Sequence, residues 1–168
     1  CLTTVMVTSQ GFAGVSVTEA DGKRIYDVNI EDVVVHEETG GARLELVGVK
    51  GYEGFRHVVG DPALPVVRLM IDGAATVFVT VDGTKSLVNV GADVQAVQPS
   101  RLKSAGAVHA RTRNAAVYKS AGMLVNKSFD IEQVASVRGI PRYLVTLYPV
   151  DYRPAAKQLT VRKNFRVE

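Results

Sequence analysis

The feature that most constrains this chain is its rhythm of turns. Dipeptides that tolerate positive φ recur at short intervals: Asp21-Gly22, Gly40-Gly41, Asp72-Gly73 and Asp82-Gly83. Such pairs are the residues of tight hairpin turns. Between them lie "AGVSVTE", "RIYDVNIEDVVVHEE", "ARLELVGVKG", "PVVRLMID", "ATVFVTVD" and "SLVNVGADVQAV", all rich in Val, Ile and Thr. Branching at Cβ restricts a side chain in a helix and packs well on a pleated surface, so these runs are expected to be strands. "CLTTVMVTSQG" at the start reads the same way, as do "FDIEQVASVRG", "RYLVTLYPVDY" and "KQLTVRKNFRVE" near the end. In the last run Leu159, Val161, Phe165 and Val167 share one face, and Thr160, Arg162, Asn164 and Arg166 the other. That alternation predicts a single half-buried strand. "YLVTLY" is apolar on both faces and belongs in the middle of a sheet. One short helix is predicted over residues 114–124, "NAAVYKSAGML", with Asn114 as its N-cap. The expected fold is all-β: an antiparallel β-sandwich, jelly-roll-like, with one short helix and a long basic loop.

The 168 residues are expected to form one domain, 1–168. A chain of this size buries roughly 68–70% of its unfolded surface, enough for a core without staples. No repeat or low-complexity segment interrupts it, and no apolar run approaches the ~18 residues of a membrane-spanning helix. Without an initiating Met or a complete signal peptide, the sequence reads as a mature or trimmed fragment. Cys1 is the one cysteine, which excludes an internal disulfide.

Charge draws attention to one place. Twenty basic and seventeen acidic residues give a net charge of only +3, too mild to argue for nucleic acid by itself. Yet "QPSRLKSAGAVHARTRNAAVYKS" carries Arg101, Lys103, Arg111, Arg113, Lys119 and His109, and no acid occurs between Asp93 and Asp130. Residues 98–113 are also the longest stretch without a strand pattern, and a structureless loop of that length is usually functional or disordered. Nucleic-acid binding needs stacking aromatics among the cations, and Tyr118 is the only aromatic there. A solvated loop of chance charge is the plainer reading. The third is a bait: a Lys or Arg among small residues (Ser100, Ser104, Ala105, Gly106) that enters the acidic pocket of a protease specific for basic residues.

Other chemistry finds little footing. His36, His57 and His109 are too far apart for a metal-ligand motif and read as surface or loop histidines. No nucleophile elbow, P-loop or dinucleotide fingerprint is present. Cys1 could serve as an N-terminal nucleophile with its own α-amine as base, or carry a lipid; an incidental chain start is the simpler account. "NKS" at Asn126 is a formal glycosylation sequon that arises often by chance. "GDPALP", with Pro62 and Pro65, reads as a rigid extended lead-in to the strand after it.

Several segments in order resemble the N-terminal propeptide of gingipain-type cysteine peptidases. "GDPALPVVRLMIDGAATVFV" is similar to the family's Gly-x-Pro-x-x-Pro lead-in and two strands. "QPSRLKS" is similar to its loop and "NAAVYKSAGM" to the helix after it. "VRGIPRYLVTLYPVDYRPAAKQLTVRKNFRVE" is similar to its C-terminal block. The resemblance spans residues 60–167; the first 59 match only in being strand-rich. It implies a β-sandwich without catalysis of its own, exported to the periplasm, cell surface or exterior. It also implies that this sandwich keeps a cysteine peptidase latent until proteolysis removes it. The implied inhibitory loop is 98–113, with Lys103 as the residue entering the specificity pocket, Arg101 as a second candidate, and Ser100, Leu102 and Ser104 around them. Lys at that position resembles the lysine-specific branch. Here "SAGAVHARTR" lacks the acids and the proline that the family's loops usually carry after the basic residue. The implied partner is the catalytic domain of a gingipain-like cysteine peptidase, in cis or in trans, expected to follow Glu168. No cofactor, metal, nucleic acid or membrane span is expected. The alternative is a β-sandwich module of an exported protein that binds carbohydrate or another protein.

Overall fold

The structure is a computed structural model that describes residues 10–12, 14–73, 76–83, 85–99 and 111–168. Its strands are β1 (Gln10–Phe12), β2 (Val15–Ala20), β3 (Lys23–Asn29), β4 (Asp32–Glu38), β5 (Gly41–Val47), β6 (Glu53–Phe55) and β7 (Pro65–Asp72). They continue as β8 (Val79–Val81), β9 (Lys85–Asn89), β10 (Phe129–Val137), β11 (Ile140–Leu147), β12 (Val150–Arg153), β13 (Gln158–Arg162) and β14 (Asn164–Val167). The helix α1 (Ala115–Tyr118) lies between β9 and β10.

Among the described residues four sheets result, ordered β1-β2-β3-β14-β8, β10-β11-β7-β6, β12-β13-β9 and β4-β5. Every ladder between named strands is antiparallel. Buried side chains from all four sheets, among them Val28, Leu44, Leu69, Tyr152, Leu159 and Phe165, form one hydrophobic cluster. Each such side chain contributes about 1.5–3 kcal/mol by leaving water. The fold is thus all-β, as the turn rhythm predicts, and no sheet closes into a barrel among the described residues.

Local sequence explains the hairpins. Ala20 pairs with Lys23, leaving Asp21 and Gly22 in the turn at φ 51° and 71°. Two successive positive φ values match the right-handed twist of the flanking strands, which is why Asp-Gly sits there. Between β4 and β5 the turn falls one residue earlier than predicted, on Thr39 and Gly40, because Glu38 pairs with Gly41. β11 lies between β10 and β7, the central place that its two apolar faces require.

Several expectations are corrected. "RIYDVNIEDVVVHEE" is two strands, broken around the fully buried Ile30, and "SLVNVGADVQAV" keeps only β9 plus isolated bridges at Val94 and Ala96. The final run is also two strands. β13 pairs with β12 and β9, whereas β14 pairs with β3 and β8, so the chain changes sheet at Lys163. Thr160 and Arg162, predicted to face water, are buried. The helix ends six residues before the predicted Leu124, at Tyr118. The Lys119 N–H turns back to Ala116, and the Ser120 hydroxyl accepts from the Gly122 N–H, competition that ends helices.

Arg162 is buried because Asp151 is buried beside it. The Asp151 carboxylate, 1% exposed, accepts hydrogen bonds at 2.9 Å from the N–H groups of Val125, Asn126 and Tyr152. Arg162 Nη2 lies 4.0 Å from it, and Nη1 donates to the Tyr148 carbonyl at 3.3 Å.

Candidate functional site

Ser100, Arg101, Leu102, Lys103 and Ser104 lie outside the described residues, as do His109 and Cys1. The structure describes instead where the basic loop leaves the body and where it returns. Both places are built on "GDPALP". On the outgoing side the Gly60 N–H donates to the Val97 carbonyl and the Val97 N–H to the Asp61 carbonyl, each at 2.8 Å. On the returning side the Asn114 N–H donates to the Gly60 carbonyl at 2.8 Å, and Asn114 Nδ2 donates to Asp61 Oδ1 at 3.0 Å. One dipeptide therefore seats both feet of the loop. Gly60 has φ +87°, and a Cβ there would stand 3.2 Å from the Asn114 nitrogen and 3.5 Å from Thr112 Cγ2. Only glycine combines that backbone with so close an approach. The lead-in reading of "GDPALP" thus holds for Pro65, which opens β7, but omits what Gly60 and Asp61 do.

Gln98 closes the mouth of the loop. Its carboxamide accepts from the Thr112 N–H at 3.0 Å and donates to the Thr112 carbonyl at 3.0 Å. The returning chain is then fixed laterally. Arg113 hydrogen-bonds Asp93 and stacks over the Tyr118 ring, 3.9 Å from its centroid. Arg111 donates to the Thr39 carbonyl at 3.1 Å. Tyr118 is buried and donates to the Val94 carbonyl. Burial pushes its phenol up to about 12, against the opposing charge of Arg113. Asn114 caps α1 as predicted, accepting from the Val117 N–H at 3.4 Å. A cleft of about 390 Å³ runs along this base, lined by Gly40, Gln95, Gln98, Arg111 and Tyr118.

These contacts divide the basic stretch. Arg111 and Arg113 hold the loop to the body, and the one aromatic of the stretch lies beneath Arg113. That ring is closed to a stacking base, so the nucleic-acid reading loses its one aromatic. Asp61, Asp93 and Gln98 are anchoring positions that sequence reasoning passed over. Asp93 carried a signal, since it is the acid that bounds the acid-free zone. His36 bonds Glu45 at 2.9 Å on an exposed strand face, and His57 is exposed. No group of three metal-ligating side chains occurs among the described residues. No helix among them is long and apolar enough to cross a membrane.

Comparison with known proteins bears on this arrangement. Lys-gingipain of Porphyromonas gingivalis strain ATCC 33277 is 32% identical over 139 residues, a match that covers 78% of this chain. The chain is a homologue of a segment of Lys-gingipain. Lys-gingipain W83 of the same species matches equally. The chain spans 8% of the length of these curated relatives. A solved chain concerned with the zymogenic latency of gingipain K from P. gingivalis has the same fold, with a TM-score of 0.70 and 23% identity. The match covers 97% of this chain and 91% of that one. A chain of the complex of P. gingivalis RgpB pro- and mature domains superposes with a TM-score of 0.62 at 12% identity, covering 96% and 82%. No protein-family model matches the sequence. The likeness to Lys-gingipain exceeds the span read from motifs alone, because 78% of the chain cannot fit within residues 60–168. The solved chains cover nearly all of this one, so the shared fold extends to described residues before Gly60.

Proposed function

We propose that this domain is the prodomain of a gingipain-like cysteine peptidase, holds that peptidase latent, and is removed by proteolysis. It has no catalysis of its own and acts in an exported precursor. The inhibitory loop is 98–113, and the residue that enters the specificity pocket is Lys103, with Arg101 as the competitor two residues away. The observation that carries this reading is the seating of both loop feet on Gly60-Asp61, with Gln98 across the mouth. Fixing the two feet of a connection restricts the chain between them, which reduces the entropy lost on binding. The likeness to a chain concerned with zymogenic latency, and to a chain of a pro–mature complex, supports the same reading.

The energetics demand more than one lysine. A charge-assisted hydrogen bond in a desolvated pocket contributes about 1.5–3 kcal/mol net. Nanomolar binding requires about 12 kcal/mol. The remainder must come from an interface of ordinary size, about 800 Å² on each partner. The sandwich surface around the loop supplies it.

The test is inhibition of a lysine-specific gingipain-type peptidase by the purified domain, wild type against Lys103→Ala and Arg101→Ala. Tight inhibition lost with Lys103→Ala and kept with Arg101→Ala is expected. Absence of inhibition by the wild type, of both lysine- and arginine-specific enzymes, would refute the reading and leave a binding module of an exported protein in its place.

A further inference from the structure

We infer that the free edge of β10 is a docking site for one extended strand of a partner protein, a segment that alternates apolar and basic side chains. Such docking goes beyond the prodomain reading and does not depend on it.

β10 is the longest edge strand among those described, nine residues that pair with β11 on one side and with no described strand on the other. Edge strands invite pairing, and proteins blunt them with Lys, Pro or bulges. "FDIEQVASV" holds no Lys, Arg or Pro, and its one irregularity lies between Gln133 and Ala135. Residues 129–133 are thus left regular, and a run of about five residues is an ordinary strand length. The Tyr148 N–H donates to the Ser128 carbonyl, so Ser128, Asp130 and Glu132 turn their backbone groups towards β11. By alternation Phe129, Ile131 and Gln133 turn theirs to the open edge.

The side chains define the occupant. Phe129 shares a row with the buried Leu147 and Val67, and Ile131 with the buried Val145 and Leu69. Yet Phe129 is 36% and Ile131 39% exposed, so the layer that covers β11 and β7 stops short of β10. An added strand with apolar side chains on that face extends both rows and shields them from water. The other face of β10 is acidic. Asp130 is held by Lys127 and by the Tyr148 hydroxyl, which donates at 2.7 Å. Glu132 is exposed and has no partner among the described residues. A basic side chain on the added strand answers Glu132 across the pair. The same charge rejects a second copy of this chain. A two-fold pairing centred on Ile131 sets Asp130 against Glu132 twice, and like charges directly opposite are unfavourable. Main-chain bonds hold a strand on such an edge, and its alternate side chains select it.

The test mixes the full chain with acetylated, amidated Lys-Val-Lys-Val-Lys-Val-Lys and, separately, with the same peptide carrying Glu in place of Lys. Amide hydrogen exchange read by NMR should slow at Phe129, Ile131 and Gln133 with the lysine peptide. That peptide should bind about tenfold more tightly than the glutamate peptide, for two charge pairs reversed in sign. The net charge of the chain is +3, so attraction to the molecule as a whole would favour the glutamate peptide instead. Glu132→Lys should erase the preference. Ile131→Lys should abolish binding and leave the melting temperature close to wild type, because Ile131 is exposed. No slowing at the three amides, equal slowing with both peptides, or slowing at other edges only would overturn the docking site. Slowing that needs no peptide and grows with protein concentration would overturn it too, and put a second copy of the chain in its place.

Discussion

Replacing Asp151 by Ala should be among the most damaging single changes to this domain. The carboxylate is 1% exposed and accepts from three backbone N–H groups, those of Val125, Asn126 and Tyr152. Arg162 stands 4.0 Å away with its side chain 8% exposed. Removing the acid leaves buried donors without an acceptor and a buried guanidinium without a counter-charge. Breaking a buried pair from one side costs about 3–5 kcal/mol. The whole domain is stabilised by about 5–15 kcal/mol, so this is a large fraction of the total. At about 2–4 °C per kcal/mol for a chain of this size, the midpoint should fall by roughly 6–20 °C. Thermal unfolding followed by circular dichroism reads the shift directly. Arg162→Met supplies the second arm, since it removes the charge and keeps the bulk. The double variant should lose less than the sum of the two single losses, because neither charge is then left alone. A midpoint within about 3 °C of wild type for Asp151→Ala would refute the account, since about 1.5 kcal/mol at most would then be at stake.

Two further predictions concern the loop base. Burial raises the Tyr118 phenol to about 12, above the ~10 of an unfolded tyrosine. The folded state therefore gains from the neutral phenol below pH 10 and loses that gain as pH rises from 10 towards about 12. In absorbance titration, the difference between wild type and Tyr118→Phe should appear late, as pH rises towards about 12, and a difference spectrum that appears near pH 10 would contradict it. Asn114→Ala removes both the cap on α1 and the bond to Asp61, and should cost about 1–2 kcal/mol in denaturant unfolding.

How much of this was legible depended on whether the signal was local. The β2–β3 hairpin was readable because Asp21-Gly22 states its own conformation. The central place of β11 was readable because both of its faces are apolar. The break at Lys163 was not, because alternation continues through it: Leu159 and Phe165 point to the same core from different sheets. Arg162 looked outward by alternation, and only Asp151, on the neighbouring strand, reverses that. The same holds at the site. "GDPALP" displays its prolines, but the contacts of Gly60 and Asp61 reach Val97 and Asn114, far along the chain. Basic charge marked the stretch, yet it did not single out Arg111 and Arg113 as the cations bonded to the body.

The change of sheet at Lys163 sets an order of events in folding. β14 fills the gap between β3 and β8, and Asn29 pairs with Asn164 across 135 residues of sequence. Until those last strands have been made, the first sheet has a hole and β8 has no partner among the described strands. Pairings of such span delay folding, since chain closure must precede the contacts that reward it. During synthesis from the N-terminus, the sandwich closes last of all, after the whole loop base has already been laid down.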